Sequence, residues 1–345
     1  MKRRVTLKDV AKAAGFHVST VSRALDPNNS HLITAEVAQR IRDVAEKLGY
    51  RQNAAAAALR TSRTRMVGVL VPDITNPIFP PIIRGVEDSL RRHGYLSIIG
   101  NTDGDPKRES SLVSMLQDRG VDGFIIASVE LEDKAVVSLV EDGIAVVTVN
   151  RRVDNPAVSS VSNDEGEGIR RVLTHLVSLG HERIAHIAGS QRFSTGANRY
   201  RSFLEHREAL RLPADPELVV FSNMYNELEG ERCVEELLAR GRRFTAIVCA
   251  NDRLAVGAIE ALVRRGLKCP DNVSVTGFND MPMVDRLRPP LTTVRIGQYN
   301  VGYQAGELLA EMIGTGQREA SHVVLPVDLV IRGSTRALTT ALPEN

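Results

Sequence analysis

Cysteine is scarce: Cys233, Cys249 and Cys269 are too far apart for a C-x-x-C metal or redox motif and odd in number for a disulfide framework. A reducing compartment is the expectation. No run of about 18 apolar residues occurs, so no membrane-spanning helix is expected. Met1-Lys2-Arg3-Arg4 has the charge of a signal-peptide start, yet Lys8, Asp9 and Lys12 interrupt the apolar core such a signal needs. A soluble, cytoplasmic protein is expected. Catalytic motifs are missing as well. There is no G-x-x-x-x-G-K-[ST] phosphate loop and no G-x-S-x-G nucleophile elbow. Gly166-Glu167-Gly168 reaches Arg171 where a dinucleotide fingerprint requires its third glycine. His181 and His186 stand five apart rather than four, which turns them off a common helical face, and they lead into a strand-like run. No metal, cofactor or enzymatic activity is expected, and the histidine pair is read as structural or superficial.

What is present is ordinary globular composition, 43% apolar and 25% charged, on a chain too long for one core. Two or three folding units are expected. The net charge of +2 hides an asymmetry: residues 1–65 hold 13 Lys and Arg against 5 Asp and Glu, an excess of +8, which leaves −6 on the remainder. A basic end on an acidic body suits a chain of which one module meets a polyanion and the other does not.

Thr6-Leu7-Lys8-Asp9 has the form of a capping box, so a first helix should begin at Leu7 and end near Ala14-Gly15, where glycine can turn left-handed. A second, short helix over residues 18–25 places Val21, Ala24 and Leu25 on one face and leaves a polar surface outside. Asp26-Pro27-Asn28-Asn29 is turn chemistry. Thr34 then caps a third helix carrying Val37, Ile41, Val44 and Leu48 at helical spacing, stopped by Gly49. Three short helices with a glycine turn between the first two predict a helix-turn-helix. That shape also occurs outside DNA-binding proteins; the basic excess and the polar second helix favour DNA. Residues 51–64 form a separate alanine-rich stretch, marginal as a helix by itself.

Beyond Met66, β-branched runs alternate with amphipathic stretches: residues 67–71, 123–126, 145–149, 184–188, 246–249 and 273–276. Such alternation predicts βαβ units and parallel sheets, with any ligand beyond the carboxyl ends of the strands. Asp73, Asn76, Asn150, Asn251, Asp252 and Asn279 follow those runs and suit a polar small molecule. Singly, each is as readily a turn residue or cap; their recurrence carries the reading.

The segments Val5 to Ala11, Val18 to Leu25 and Ala45 to Tyr50 closely resemble the headpiece of the lactose/galactose repressor (LacI/GalR) family. The resemblance continues through Asp73 to Phe79, Leu179 to Ala185, Ala250-Asn251-Asp252 and Pro289 to Val294. It implies an N-terminal all-α helix-turn-helix headpiece and an α/β periplasmic-binding-protein-like core of two Rossmann-like subdomains. The expected boundaries are 1–50 for the headpiece, 51–64 for a hinge helix and 65–345 for the effector-binding core. Within the core, 65–163 and 295–325 would form the N-subdomain, and 164–294 and 326–340 the C-subdomain. The implied function is transcriptional repression of DNA carrying a pseudo-palindromic operator, by a homodimer under control of a small-molecule effector.

The DNA-contacting set expected on that resemblance is Thr6, His17, Val18, Ser19, Thr20, Ser22 and Arg23 in the headpiece, with Asn53, Leu59 and Arg60 in the hinge. Arg23 can offer its planar fork to guanine. His17 either touches DNA or acts as a weaker cap. Leu59 stands where the family wedges a leucine into the minor groove. Phe79, Asn150, Asn163, Thr195, Arg199, Tyr225, Asn251 and Asn279 match the family's effector pocket. Asn279 stands where Asp is frequent. Losing that anion beside Arg199 points to a small hydroxylated acid held by Arg199 and stacked on Phe79 or Tyr225; if Asp164 or Asp252 neutralises Arg199, a neutral sugar fits instead. A secreted solute receptor would share such a core, but the headpiece argues against it.

Overall fold

The computed structural model describes residues 5–25, 32–50 and 63–338. The chain divides into two units, Met1–Thr64 and Arg65–Asn345. Among its described residues the first holds three helices, α1 (Leu7–Ala14), α2 (Val18–Ala24) and α3 (Ala35–Lys47). They close on Val10, Val21 and Ile41, each wholly buried. Burying one such side chain contributes about 1.5–3 kcal/mol. The predicted capping box is formed: Thr6 accepts from the Asp9 N–H while the Asp9 carboxylate accepts from the Thr6 backbone. Gly15 ends α1 at φ 75°, a left-handed angle that costs glycine nothing. Thr34 occupies the N-cap position of α3 but makes no side-chain cap bond, contrary to expectation.

Among its described residues the second unit contains two six-stranded sheets. Strands β1 (Met66–Val71), β2 (Leu96–Asn101), β3 (Gly123–Ile126), β4 (Ala145–Val149), β5 (Ser159–Asn163) and β11 (His322–Leu325) form the first, in the order β11-β5-β4-β3-β1-β2, all parallel. The second is β12-β10-β9-β8-β6-β7, built from β6 (Ile184–Ala188), β7 (Val219–Phe221), β8 (Ala246–Cys249), β9 (Ser274–Asn279), β10 (Thr292–Arg295) and β12 (Asp328–Val330). Only β12 runs antiparallel there. Strand membership switches sheets three times, after β5, after β10 and after β11, so three connections join two lobes.

Eight helices accompany the strands in the described residues: α4 (Phe79–Arg92), α5 (Pro106–Asp118), α6 (Lys134–Glu141), α7 (Glu165–Ser178), α8 (Ser194–Ala209), α9 (Glu227–Ala239), α10 (Asp252–Arg264) and α11 (Gln298–Thr315). Helices on both faces bury the central strands entirely, which is why β3 and β8 read as unbroken apolar runs and β6 is broken only by the buried His186. Each lobe also has a helix pair in backbone contact. A Cβ on Gly302 of α11 would lie 1.9 Å from the Ile82 carbonyl of α4, and one on Gly257 of α10 would lie 1.8 Å from that of Glu227 in α9. His181 and His186 serve this framework. Both are buried; His181 bonds Thr245 and the Arg336 carbonyl, and His186 bonds the Val248 carbonyl while stacking on Phe203.

Candidate functional site

In the helical unit, α2 buries Val21 and Ala24, packs the half-buried Val18 against the same core, and leaves Ser19 and Arg23 exposed. His17, Ser19 and Arg23 are exposed or half-buried, with Val18, Thr20 and Ser22 around them. His17 acts as the N-cap: its Nδ1 accepts from the Ser19 N–H at 3.3 Å and lies 2.8 Å from the Ser19 hydroxyl. Thr6, also exposed, is engaged in the capping box, its hydroxyl donating to Asp9. Asn53, Leu59 and Arg60 lie outside the described residues.

In the second unit the carboxyl ends of β1, β4, β6, β8 and β9 converge on a cleft. Seven of the eight expected pocket residues meet there: Phe79, Asn150, Thr195, Arg199, Tyr225, Asn251 and Asn279 line one small cavity of about 30 Å³. It shares Asn76, Phe79, Arg151 and Tyr225 with a larger space of about 230 Å³, reaching Asp73, Arg192, Phe193 and Arg253. Asn163 is not among these linings. It borders a separate depression of about 490 Å³ with Arg201, Ser202 and His322. That space is larger but has no Phe or Tyr wall, so the convergent strand ends mark the better ligand site.

Local chemistry explains how the cleft is built. Asn150 follows β4 at φ 65°, a conformation Asn tolerates better than most residues, and its Oδ1 is buried without a partner. The Asn251 side chain caps α10, accepting from the Leu254 N–H at 2.9 Å. The Thr195 hydroxyl lies 3.3 Å from that of Tyr225. Arg199 is 2% exposed, donates to the Ala250 carbonyl at 2.6 Å and stacks 3.7 Å above the Phe278 ring. Its bond to the Asn279 amide oxygen is long, 3.5 Å.

The expected neutralisers of Arg199 need correction. Asp164 is the N-cap of α7, accepting from the Glu167 N–H. Asp252 accepts from the Thr293 hydroxyl and the Met281 N–H, and burial pushes its carboxyl up to about 7. The carboxylate in ion-pair range is Glu165, 3.7 Å away and likewise buried. Burial raises the Glu165 carboxyl and lowers the Arg199 guanidinium, while each opposes the other's shift. Sequence reading missed Glu165 because its role follows from which turn of α8 packs over α7. It also missed Arg151 and Phe193, although both follow strand ends, the signal that singled out Asn150.

A helix-turn-helix with a polar outward helix, on one chain with a two-lobed α/β core enclosing a polar cleft, defines a ligand-responsive DNA-binding regulator. Residues 6–53 match the family of bacterial regulatory proteins of the lacI type, and residues 173–335 match a periplasmic binding protein-like domain. The HTH-type transcriptional regulator DegA of Bacillus subtilis (strain 168) is 34% identical across 98% of this chain and 100% of its own. The chain belongs to the LacI family: it is a DNA-binding transcription regulator controlled by a small-molecule effector, and not an enzyme. Among solved structures, a transcriptional regulator CelR–cellobiose complex aligns with a TM-score of 0.74 at 28% identity, over 96% of this chain and 100% of that one. The Lac repressor dimer bound to operator and the anti-inducer ONPF aligns with a TM-score of 0.85 at 24% identity, over 97% and 100%, and shares the fold. No helix among the described residues is long and apolar enough to cross a membrane.

Proposed function

We propose that the chain acts in the cytoplasm as a homodimeric repressor whose affinity for a pseudo-palindromic operator is set by a sugar or sugar acid in the cleft. The observation that carries this reading is the convergence of unpartnered buried polar atoms, Asn150 Oδ1, Arg151 Nη1 and Arg199 Nε, beside Phe79, Phe193 and Tyr225. Buried polar atoms without partners cost free energy that a polar ligand would recover. The cellobiose held by CelR shows a relative of the same fold in complex with a sugar. Phe79, Asn150, Thr195, Arg199, Tyr225, Asn251 and Asn279 form the effector site in this reading, while Asn163 borders the separate depression.

On the DNA side, Val18, Ser19 and Arg23 read bases, while Thr6, His17, Thr20 and Ser22 hold the headpiece on the backbone. Asn53, Leu59 and Arg60 belong to the hinge. We take 1–50 as headpiece, 51–64 as hinge, and 65–163 with 295–325 against 164–294 with 326–340 as the two lobes. The test is fluorescence anisotropy on a palindromic site selected from random DNA. Two protomers should bind one site, and affinity should fall on the order of a thousandfold or more from about 50 to 200 mM salt as counterions are released. In the same assay Leu59→Ala should weaken operator binding by about 1–3 kcal/mol and leave random DNA nearly unaffected. A monomer filling a half-site at full affinity would refute the dimeric reading.

A further inference from the structure

Four arginines line the cleft: Arg151, Arg192, Arg199 and Arg253. Three have carboxylate partners. Arg192 pairs with Glu130, Arg199 with Glu165, and Arg253 with Glu227 and Asp73. Arg151 has none within ion-pair range among the described residues, although it is only 8% exposed and its Nη1 is buried without a hydrogen-bond partner. Its guanidinium lies 3.7 Å from the centroid of the Phe193 ring, which holds it in place without neutralising it. A desolvated cation without a counter-ion is costly, and a fold that keeps one inside a ligand cleft has left the counter-charge to the ligand.

We infer that the effector carries an acidic group, a carboxylate or a phosphate, and that Arg151 receives it at the Phe193 end of the cleft. This inference rests on the cleft being the effector site. It moves the anion receptor from Arg199, where the sequence placed it, to a residue the sequence did not single out. Arg199 cannot fill that role without competing against Glu165, which already offsets its charge. The planar fork of Arg151 suits a two-oxygen acid, and its aromatic seat fixes the plane. Next to it, Asn150 Oδ1 is an open acceptor and Arg199 Nε an open donor, so the rest of the ligand carries hydroxyls. Glu109 and Glu130 act on Arg151 only at longer range and are engaged elsewhere, with Ser128 and Arg192.

The experiment is calorimetric titration of the full-length protein with D-glucose, D-galactose, D-glucuronate, D-galacturonate and glucose 6-phosphate. At least one acid should bind about ten- to a hundredfold more tightly than its neutral counterpart, the gain expected of a charge-assisted bond. Preference for a uronate assigns a carboxylate; preference for glucose 6-phosphate assigns a phosphate. Arg151→Gln should bring the acid-to-neutral ratio close to one, and Arg151→Lys should keep part of it. The comparison on the unaltered protein needs no variant and decides the matter if Arg151→Gln fails to fold. Neutral sugars binding as tightly as acids, no acid binding at all, or acid affinity indifferent to Arg151→Gln would each overturn the inference. Acid binding that is lost in Tyr225→Ala but unaffected by Arg151→Gln removes this inference alone. Acid binding untouched by both substitutions removes the cleft reading with it.

Discussion

Arg199 and Glu165 show how strongly one buried pair constrains what can be learned from a site. Each is almost wholly buried, and each is tolerable only because of the other and its hydrogen bonds. Arg199→Ala should therefore lower the free energy of unfolding by about 3–5 kcal/mol in urea titrations, through the carboxylate left behind. Adding Glu165→Gln should restore part of that loss, and a double variant no more stable than Arg199→Ala would disprove the coupling. Asp252 offers a second test, through pH. Burial holds its folded carboxyl at about 7 against an ordinary value of 3.8. Between those values the folded chain keeps a proton that the unfolded chain releases, so the contribution is fully present below about 4 and is lost as pH rises through 7. Asp252→Asn removes this dependence while keeping an oxygen for the Met281 N–H. Its stability relative to the parent should climb as pH rises from about 4 to about 7; a difference that is flat or falls would contradict the assignment.

Among the elements, the two backbone-to-backbone helix contacts are the positions where volume matters most. Gly302→Ala drives a methyl against the Ile82 carbonyl, and backbone cannot step aside as a side-chain tip can. We expect a loss of about 1–3 kcal/mol in thermal or urea unfolding. Gly314, next to the last residue of the same helix, faces open space: a methyl added there would meet nothing within 4 Å, so Gly314→Ala should be neutral or stabilise by up to about 1 kcal/mol. Equal effects from the two would show that helix propensity, not helix contact, governs both. The same two helices, α4 and α11, place Phe79 at one end, so their close approach also sets one aromatic wall of the cleft.

For the whole molecule, the relevant quantity is how little free energy separates arrangements of the two lobes. Two ion pairs tie the lobes across the cleft, Arg192 with Glu130 and Arg253 with Asp73, assisted by the Leu131 N–H donating to the Arg192 carbonyl at 2.9 Å. Partly exposed pairs of this kind are worth about 0–1 kcal/mol each. A ligand contributing a few kcal/mol between the lobes can therefore shift their balance, provided it binds one arrangement better than the other. If that balance controls DNA binding, the coupling must be reciprocal: saturating operator should change effector affinity by the factor by which effector changes operator affinity. Anisotropy and calorimetry on one preparation check this, and unequal factors would show that the two measurements do not share one equilibrium.

Much of the molecule was legible in one dimension because the physics involved is local. The capping box at Thr6 and Asp9, the glycine stop at Gly15 and the apolar face of α2 depend on residues within a turn or two. Central strands such as β3 and β8 announced themselves because both faces are buried, which favours continuous apolar runs. The edge strands β2, β7, β11 and β12 escaped notice because an edge relaxes that demand, and the interior strands β5 and β10 escaped it because they bury Ser and Thr rather than an apolar run. Strand ends and the family resemblance singled out seven residues that line one cavity, since a parallel sheet presents all its carboxyl ends to one side. Which charge faces which was another matter. That Glu165 neutralises Arg199, that Arg151 is left without a carboxylate, and that Phe193 seats it follow from how α7, α8 and the β4 end meet in space. Sequence periodicity assigns a side chain to the inside or the outside; only the packed structure decides its neighbours, because burial is set by local pattern and pairing by contacts between segments far apart in the chain.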